Sequence, residues 1–175
     1  YTILDTFTRN VNQLGQIVVQ GDPVSTPTFE VPKNPNMPDW SEAAALPTDA
    51  EYRLNARRKQ GGNGMGMMGG IEWTISDEAY PEITPITLKH GTFNKLKFTN
   101  ESSRLHPMHL HGQFFKVLTR NGQIVDEPYF RDTVLLRAKE TVEVGLVPLD
   151  KGEWVNHCHI VEHADSGMMT LLRVE

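Results

Sequence analysis

The sequence predicts an all-β domain, folded as a Greek-key sandwich or barrel and preceded by an irregular N-terminal linker. Three observations support this fold class. Short apolar segments recur at regular spacing after residue 70, turn signals separate them, and no long helical periodicity interrupts them. The stretch 71–175 also has the length of one such domain.

The predicted strands follow the apolar and β-branched residues of this domain. They are expected at 71–75, 86–88, 96–98, 114–118, 134–136, 142–146, 154–159 and 169–174. Turns are expected at His90-Gly91 and Asn121-Gly122, because Gly and Asn tolerate the backbone conformations of tight turns.

Residues 1–70 differ in composition from the rest of the chain. Residues 1–20 predict short strands around a turn at Asn12–Gly15, which are too few to form a core. We expect them to be the tail of a preceding domain or strands added to the main one. Residues 21–70 are rich in Pro and Gly and predict a linker, with a short helix after Ser41 and a Met-containing loop at 61–70.

Composition and charge exclude several classes of function. The chain has 175 residues, a net charge of -5 and one short basic run at Arg57–Lys59, so nucleic acid is not an expected partner. No apolar run approaches the roughly 18 residues of a membrane helix. The first residues show no signal-peptide pattern. The single cysteine, Cys158, excludes an intrachain disulfide.

Six of the seven histidines lie in two short segments, His106–Gly112 and His157–Met168. A lone histidine on a strand is most often a structural residue. Two clusters of histidine, one of them around the only cysteine, instead indicate metal binding, because imidazole and thiolate are the preferred donors for copper and zinc.

Strand geometry divides these residues between two sites. Because side chains alternate between faces, His157 and His159 share one face while Cys158 points to the other. By the same alternation His109 and His111 share a face, and His106 lies at an odd offset from them. The first expected site contains His106, Cys158 and His163, and the second contains His109, His111, His157 and His159.

The donor types favour copper at the first site. Met168 follows His163 by five residues, a spacing that lets its thioether reach an axial position. Two imidazoles, one thiolate and a weak axial thioether form a blue-copper electron-transfer site. Zinc also accepts Cys and His, but it would not need Met168, and structural zinc sites usually recruit more than one Cys. Four imidazoles at the second site suit copper, zinc, iron or nickel.

The position of Cys158 predicts how the two sites cooperate. Electrons collected at a thiolate-bound copper can pass through Cys158 into His157 and His159 on either side. A protein that only shuttles electrons needs no histidine next to its cysteine. We therefore expect Cys158, His157 and His159 to be catalytic.

These motifs closely resemble the C-terminal copper signatures of multicopper oxidases, the family of laccases, bilirubin oxidases and copper-efflux oxidases. The resemblance includes Arg131–Val134 and Gly152–Trp154 and implies a cupredoxin fold. It implies that substrate electrons, taken singly from phenols, aryl amines or metal ions, reduce O2 to water. The implied ligands are His106, Cys158, His163 and axial Met168 for type 1 copper, His109 for type 2 copper, and His111, His157 and His159 for the type 3 pair.

The family's trinuclear cluster uses eight histidines, whereas this chain offers four, because we expect His90 to lie in a surface turn. The remainder would come from an N-terminal cupredoxin domain on another chain, from a part missing in a fragment, or from a symmetry-related copy. The resemblance also implies a secreted or periplasmic location. Two alternatives stay open: an electron-transfer domain without oxidase activity, and a copper-storage module using Met65, Met67 and Met68.

Overall fold

The computed structural model describes residues 1–6, 10–22, 24–25, 28, 30, 35–59, 70–125 and 127–175. These residues form two compact units, Tyr1–Glu30 and Val31–Glu175. The Met-containing loop, with Met65, Met67 and Met68, lies outside the described residues.

The first unit contains a two-stranded antiparallel sheet. Strand β1 (Thr2–Asp5) pairs with β2 (Asn12–Gln16). The turn predicted at Asn12–Gly15 is therefore wrong, because these residues pair with β1 and the chain reverses before them. Apolar side chains such as Leu4 and Leu14 are exposed in this hairpin. A hairpin with so little buried surface is only marginally stable alone.

The second unit is a sandwich of two sheets. The elements are α1 (Trp40–Ala45), β3 (Ala50–Arg58), β4 (Ile71–Ile75), β5 (Ile86–Leu88), β6 (Asn94–Asn100), β7 (His106–Leu110), β8 (Phe115–Arg120), β9 (Gln123–Ile124), β10 (Thr133–Leu136), β11 (Thr141–Leu146), β12 (Gly152–Cys158), α2 (Val161–Asp165) and β13 (Met169–Val174). One sheet has the order β10-β7-β12-β13-β5, and the other has the order β4-β3-β6-β11-β8-β9. The predicted all-β fold class is confirmed.

The core of the sandwich is built by alternation along the strands. In β7, His106, Met108 and Leu110 are buried, and the residues between them are partly exposed. In the other sheet, Tyr52 of β3 stacks on Phe98 of β6 with ring centroids 5.1 Å apart. This alternation places one face of β7 and β12 inside the sandwich and the other face outside it.

Strand β3 lies within the stretch that the sequence predicts to be an irregular linker. Residues Ala50–Arg58 pair with β6 in parallel and with β4 in antiparallel orientation, so this part of the linker prediction is wrong. The physical reason is that Tyr52 and Leu54 alternate with charged residues and fill the core. Helix α1 also begins at Trp40, earlier than expected from Ser41, with Asp39 at its N-cap.

The turn predicted at Asn121-Gly122 joins β8 to β9. Both residues have positive φ, 49° and 75°, as a tight hairpin turn requires. Gly91 has a φ of 68° in the turn predicted at His90-Gly91. Within the part of the chain that the structure describes, no helix has the length and apolar character needed to cross a membrane.

Candidate metal centre

Both histidine segments belong to neighbouring strands of the five-stranded sheet. Strand β12 pairs with β7 so that His157 lies opposite His109 and Cys158 lies opposite Met108. The side chains of His109 and His157 are therefore neighbours on the outer face, and Cys158 points inwards beside Met108. The predicted separation of the ligands onto two faces follows from this register.

The inner face carries a group that we call the thiolate cluster: His106, Cys158 and His163. The Sγ atom of Cys158 lies 3.7 Å from Nδ1 of His106 and 3.6 Å from Nδ1 of His163. The two Nδ1 atoms are 3.1 Å apart. His106 and Cys158 are fully buried and His163 is partly exposed, so two of the three converging donor residues lie where water is excluded.

Burial sets the protonation states of the thiolate cluster. It lowers the pKa of His106 to about 4, with a further contribution from neighbouring His163. It also lowers the pKa of His163, against the opposing effect of the Glu162 carboxylate. Both imidazoles are therefore neutral at neutral pH and have lone pairs for a metal. Burial raises the pKa of Cys158 to about 11, so a nearby cation is needed to form its thiolate.

Short main-chain bonds hold the loop that connects Cys158 to Met168. The Cys158 N–H donates to the Met168 carbonyl at 3.1 Å, and the Met168 N–H donates to the His163 carbonyl at 2.9 Å. The Ile160 N–H points at the Cys158 sulfur at 3.4 Å. Met168 is fully buried. These contacts place the backbone of Met168 beside the thiolate cluster.

Trp73 of β4 forms an aromatic wall beside the thiolate cluster. Its ring lies over His163 with centroids 3.9 Å apart and meets His106 edge-on at 5.1 Å. The backbone N–H of Trp73 donates to the carbonyl of Ser166 at 2.9 Å. Gly167, at a φ of 114°, allows the close approach, because a Cβ there would lie 2.8 Å from the Trp73 carbonyl oxygen. The Trp73 ring therefore contacts both imidazoles, and its backbone is bonded to the loop that connects Cys158 to Met168.

The outer face carries a second group, the imidazole cluster: His109, His111, His157 and His159. One donor atom from each of His109, His157 and His159 can lie within 4.8 Å of the others. The Nε2 atoms of His111 and His157 are 3.0 Å apart. His111 and His159 are exposed to solvent, so the imidazole cluster is more open to solvent than the thiolate cluster, in which only His163 is partly exposed.

Two of these imidazoles are oriented by main-chain carbonyls. Nδ1 of His157 donates to the carbonyl of Cys158 at 2.9 Å. Nδ1 of His109 donates to the carbonyl of Asp132 at 3.1 Å and lies 2.9 Å from the Thr133 hydroxyl. Because a carbonyl oxygen only accepts, both rings carry hydrogen on Nδ1 and offer Nε2 to a metal. No sequence pattern predicts these roles of Asp132 and Thr133, although both residues lie in the motif Arg131–Val134.

Two further residues near the clusters have roles that the sequence motifs do not reveal. Ser102 contacts Nε2 of His106 at 2.8 Å, and Trp154 packs over Gly112 so closely that a Cβ on Gly112 would lie 2.1 Å from the Trp154 ring.

His90 belongs to neither cluster. It is exposed in a turn, with Nε2 2.9 Å from the carbonyl of Leu149.

A family model described as multicopper oxidase matches residues 45–175, which is more than half of the chain. The chain belongs to the multicopper oxidase family. Among its relatives, multicopper oxidase MmcO of Mycobacterium tuberculosis is 36% identical over 108 residues, covering 61% of this chain and 21% of MmcO. Copper resistance protein A of Escherichia coli is 29% identical over 110 residues, covering 63% of this chain and 18% of that protein.

Solved multicopper oxidases share the fold of this chain. The multi-copper oxidase from Pseudomonas thermotolerans is 29% identical with a TM-score of 0.60, covering 83% of this chain and 33% of that one. McoA from Aquifex aeolicus is 25% identical with a TM-score of 0.59, covering 73% and 29%. This multicopper oxidase chain thus spans about a fifth of the length of the relatives MmcO and copper resistance protein A.

Proposed function

We propose that this chain is the C-terminal copper-binding part of an oxidase that couples one-electron oxidation of a small reducing substrate to reduction of O2. The observation that supports this most strongly is the position of Cys158. Its thiol faces His106 and His163, and its carbonyl accepts a hydrogen bond from His157 in the imidazole cluster. One residue therefore belongs to both clusters.

The donor chemistry of the thiolate cluster fits copper. Two neutral imidazoles and one thiol converge in a largely buried site, and the thioether of Met168 on the adjoining loop would supply the weak fourth donor of a blue-copper site. In this proposal His106, Cys158 and His163 would bind type 1 copper, with Met168 as the weak fourth ligand. Membership in the multicopper oxidase family implies the same metal.

The imidazole cluster would supply half of a trinuclear copper site. His109 would hold type 2 copper, and His111, His157 and His159 would hold the type 3 pair. The bonds from Nδ1 of His109 and His157 to main-chain carbonyls leave the Nε2 atoms of both rings with lone pairs that would bind the metals. Copper, when bound, supplies one-electron transfer, so that four electrons and four protons convert O2 to two molecules of water.

The other half of the trinuclear site must come from outside this chain. The seventh histidine of this chain, His90, belongs to neither group of potential metal ligands, and its Nε2 lies against the Leu149 carbonyl. Because the chain spans about a fifth of MmcO, an N-terminal cupredoxin domain of a longer protein or of another chain is the proposed partner. A symmetry-related copy is the alternative, since a two-fold arrangement would also bring eight imidazoles together.

The proposed substrates are phenols, aryl amines or metal ions, and the proposed location is secreted or periplasmic. A cuprous-ion role for Met65, Met67 and Met68 concerns residues outside the described part of the chain. The second candidate function is electron transfer without oxidase activity, which the exposure of His111 and His159 in an incomplete cluster favours for the chain by itself.

Copper counting together with oxygen uptake tests these proposals. We expect the chain to take up copper with an intense blue absorption and to reduce O2 with a phenolic donor only when the missing half of the cluster is present. A Cys158→Ser variant is the negative control for the absorption. A monomer that retains a single tightly bound copper would contradict the symmetric pair, and absence of the blue absorption would contradict the type 1 assignment.

A further inference from the structure

A row of buried polar groups lies behind His106, on the side away from the thiolate cluster. Asn100 at the end of β6, Ser102 in the following turn and His106 at the start of β7 are 1%, 7% and 0% exposed. Hydrogen bonds connect all three and end at Nε2 of His106. Since each buried polar atom needs a partner, the direction of every donor in this row is constrained.

The orientation of the Asn100 amide follows from two carbonyl groups. Its Nδ2 donates to the carbonyl of Arg104 at 2.7 Å and to that of Arg137 at 2.8 Å. The reverse orientation would set the amide oxygen against both carbonyl oxygens, which only accept. The amide oxygen therefore faces Ser102, where it accepts from the backbone N–H at 2.9 Å.

The Asn100 amide oxygen in turn directs the hydroxyl of Ser102. The Ser102 Oγ lies 2.9 Å from Asn100 Oδ1 and 3.2 Å from the Arg104 carbonyl oxygen, and these two acceptors take its one hydrogen. The lone pairs of Oγ are then left for the Arg104 backbone N–H at 3.1 Å and for Nε2 of His106 at 2.8 Å, which must carry the hydrogen of that bond. If the hydroxyl instead donated to His106, two oxygens 2.9 Å apart would face each other with no hydrogen between them.

We propose that Asn100 and Ser102 act as positioning residues that lock His106 in the tautomer with hydrogen on Nε2. Nδ1 then keeps its lone pair and directs it at Cys158 Sγ, 3.7 Å away, and at His163 Nδ1, 3.1 Å away. Any hydrogen shared at the contact between the two rings comes from His163. The hydrogen bond of one imidazole nitrogen thus decides which nitrogen can bind metal. Only the identity of that metal rests on the proposed function.

The tautomer can be read directly in the metal-free chain. Nitrogen-labelled protein would be studied by imidazole NMR spectra that distinguish Nδ1–H from Nε2–H. We expect His106 to be the Nε2–H form in the wild-type chain and a mixture of forms in Ser102→Ala. Ser103→Ala is the matched control, because Ser103 is adjacent and exposed. A wild-type spectrum with hydrogen on Nδ1 of His106 would overturn the proposal, and this measurement needs no variant to fold.

The consequence for metal binding is measured by competition for cuprous ion against a chelator, without any assay of activity. Loss of an outer-shell partner typically weakens metal binding about 10–100-fold, so the dissociation constant should rise by that factor in Ser102→Ala. Ser103→Ala should stay at the wild-type value. Equal affinities and an unchanged Nε2–H tautomer in Ser102→Ala would contradict the proposal. A wild-type chain with the Nε2–H form but no affinity for cuprous ion would support the locked tautomer and contradict the proposed function.

Discussion

The thiolate cluster and the imidazole cluster occupy opposite faces of β7 and β12, and they differ in how completely the chain encloses them. His106 and Cys158 are fully buried beneath Trp73, whereas His111 and His159 face solvent. Under the proposed function, the chain would contribute a complete donor set to the thiolate cluster and half of a donor set to the site that contains the imidazole cluster. Electron uptake and oxygen reduction would then depend on this chain to different degrees.

The largest effect is expected for Cys158→Ser. The hydroxyl cannot replace a thiolate as a soft donor, so the intense blue absorption should disappear completely. Absorption spectroscopy of the copper-loaded chain measures this loss. His90→Ala, which changes a histidine that belongs to neither cluster, should retain the full absorption. A Cys158→Ser chain that stays blue would show that the thiolate cluster does not hold the type 1 copper.

A substitution in the imidazole cluster should lower oxygen uptake without removing the blue absorption. In the complete assembly, His157→Ala should lower oxygen uptake by more than the roughly 10–100-fold typical of outer-shell changes, because a direct ligand is lost. Blue absorption should be kept, since the donors of the thiolate cluster are intact. Steady-state oxygen consumption and absorption are measured on one sample. Equal loss of both signals would mean that the two clusters are not separable.

The Trp73 side chain is buried against His106 and His163 of the thiolate cluster. Its removal should therefore lower the free energy of unfolding. Trp73→Ala should lower the free energy of unfolding of the metal-free chain by about 3–5 kcal/mol, as for other large buried aromatic residues. Urea unfolding measures the change. Leu149→Ala is the control, because that side chain is 63% exposed. An effect below about 1 kcal/mol would imply that the loop containing Ser166 repacks around the gap.

Acid should lower the free energy of unfolding of the metal-free chain, because His106 is buried in its neutral form. The pKa of His106 is lowered from 6.5 to about 4 in the folded chain, so between these values the unfolded state binds more protons. The stability of the metal-free chain should therefore be fully present above pH 6.5 and fall by about 3 kcal/mol as the pH drops through 4. Urea unfolding across this range measures the slope. His106→Gln, which does not titrate there, should show a shallower dependence; an equal slope would contradict the assignment to His106.

The sequence predicted which ligands share a face because alternation along a single strand is a local rule, whereas the pairing of β7 with β12 joins distant segments. Alternation along β12 places Cys158 opposite in direction to His157, whatever the rest of the chain does. The strand predictions at 71–75 and 86–88 match β4 and β5 for the same reason. Local period and turn signals were sufficient for these elements.

Other features depend on contacts between distant segments. The parallel pairing of β3 with β6 joins residues more than 40 positions apart, and the Pro- and Gly-rich neighbourhood hid its alternating pattern. Trp73 reaches His163 only because β4 lies beside the ligand loop. The contact of Ser102 with His106 spans a turn whose shape the sequence does not specify. These contacts arise from the folded arrangement and have no local signature.

The loop from Cys158 to Met168 is fastened to itself by main-chain bonds at both ends. The number of residues in this loop therefore determines the distance between Cys158 and Met168. An exposed side chain such as Asp165 can be exchanged without breaking these bonds, whereas inserting or deleting a residue would move Met168 relative to Cys158. A change in the length of this one loop could therefore alter the ligand geometry of the site while the sandwich stays the same.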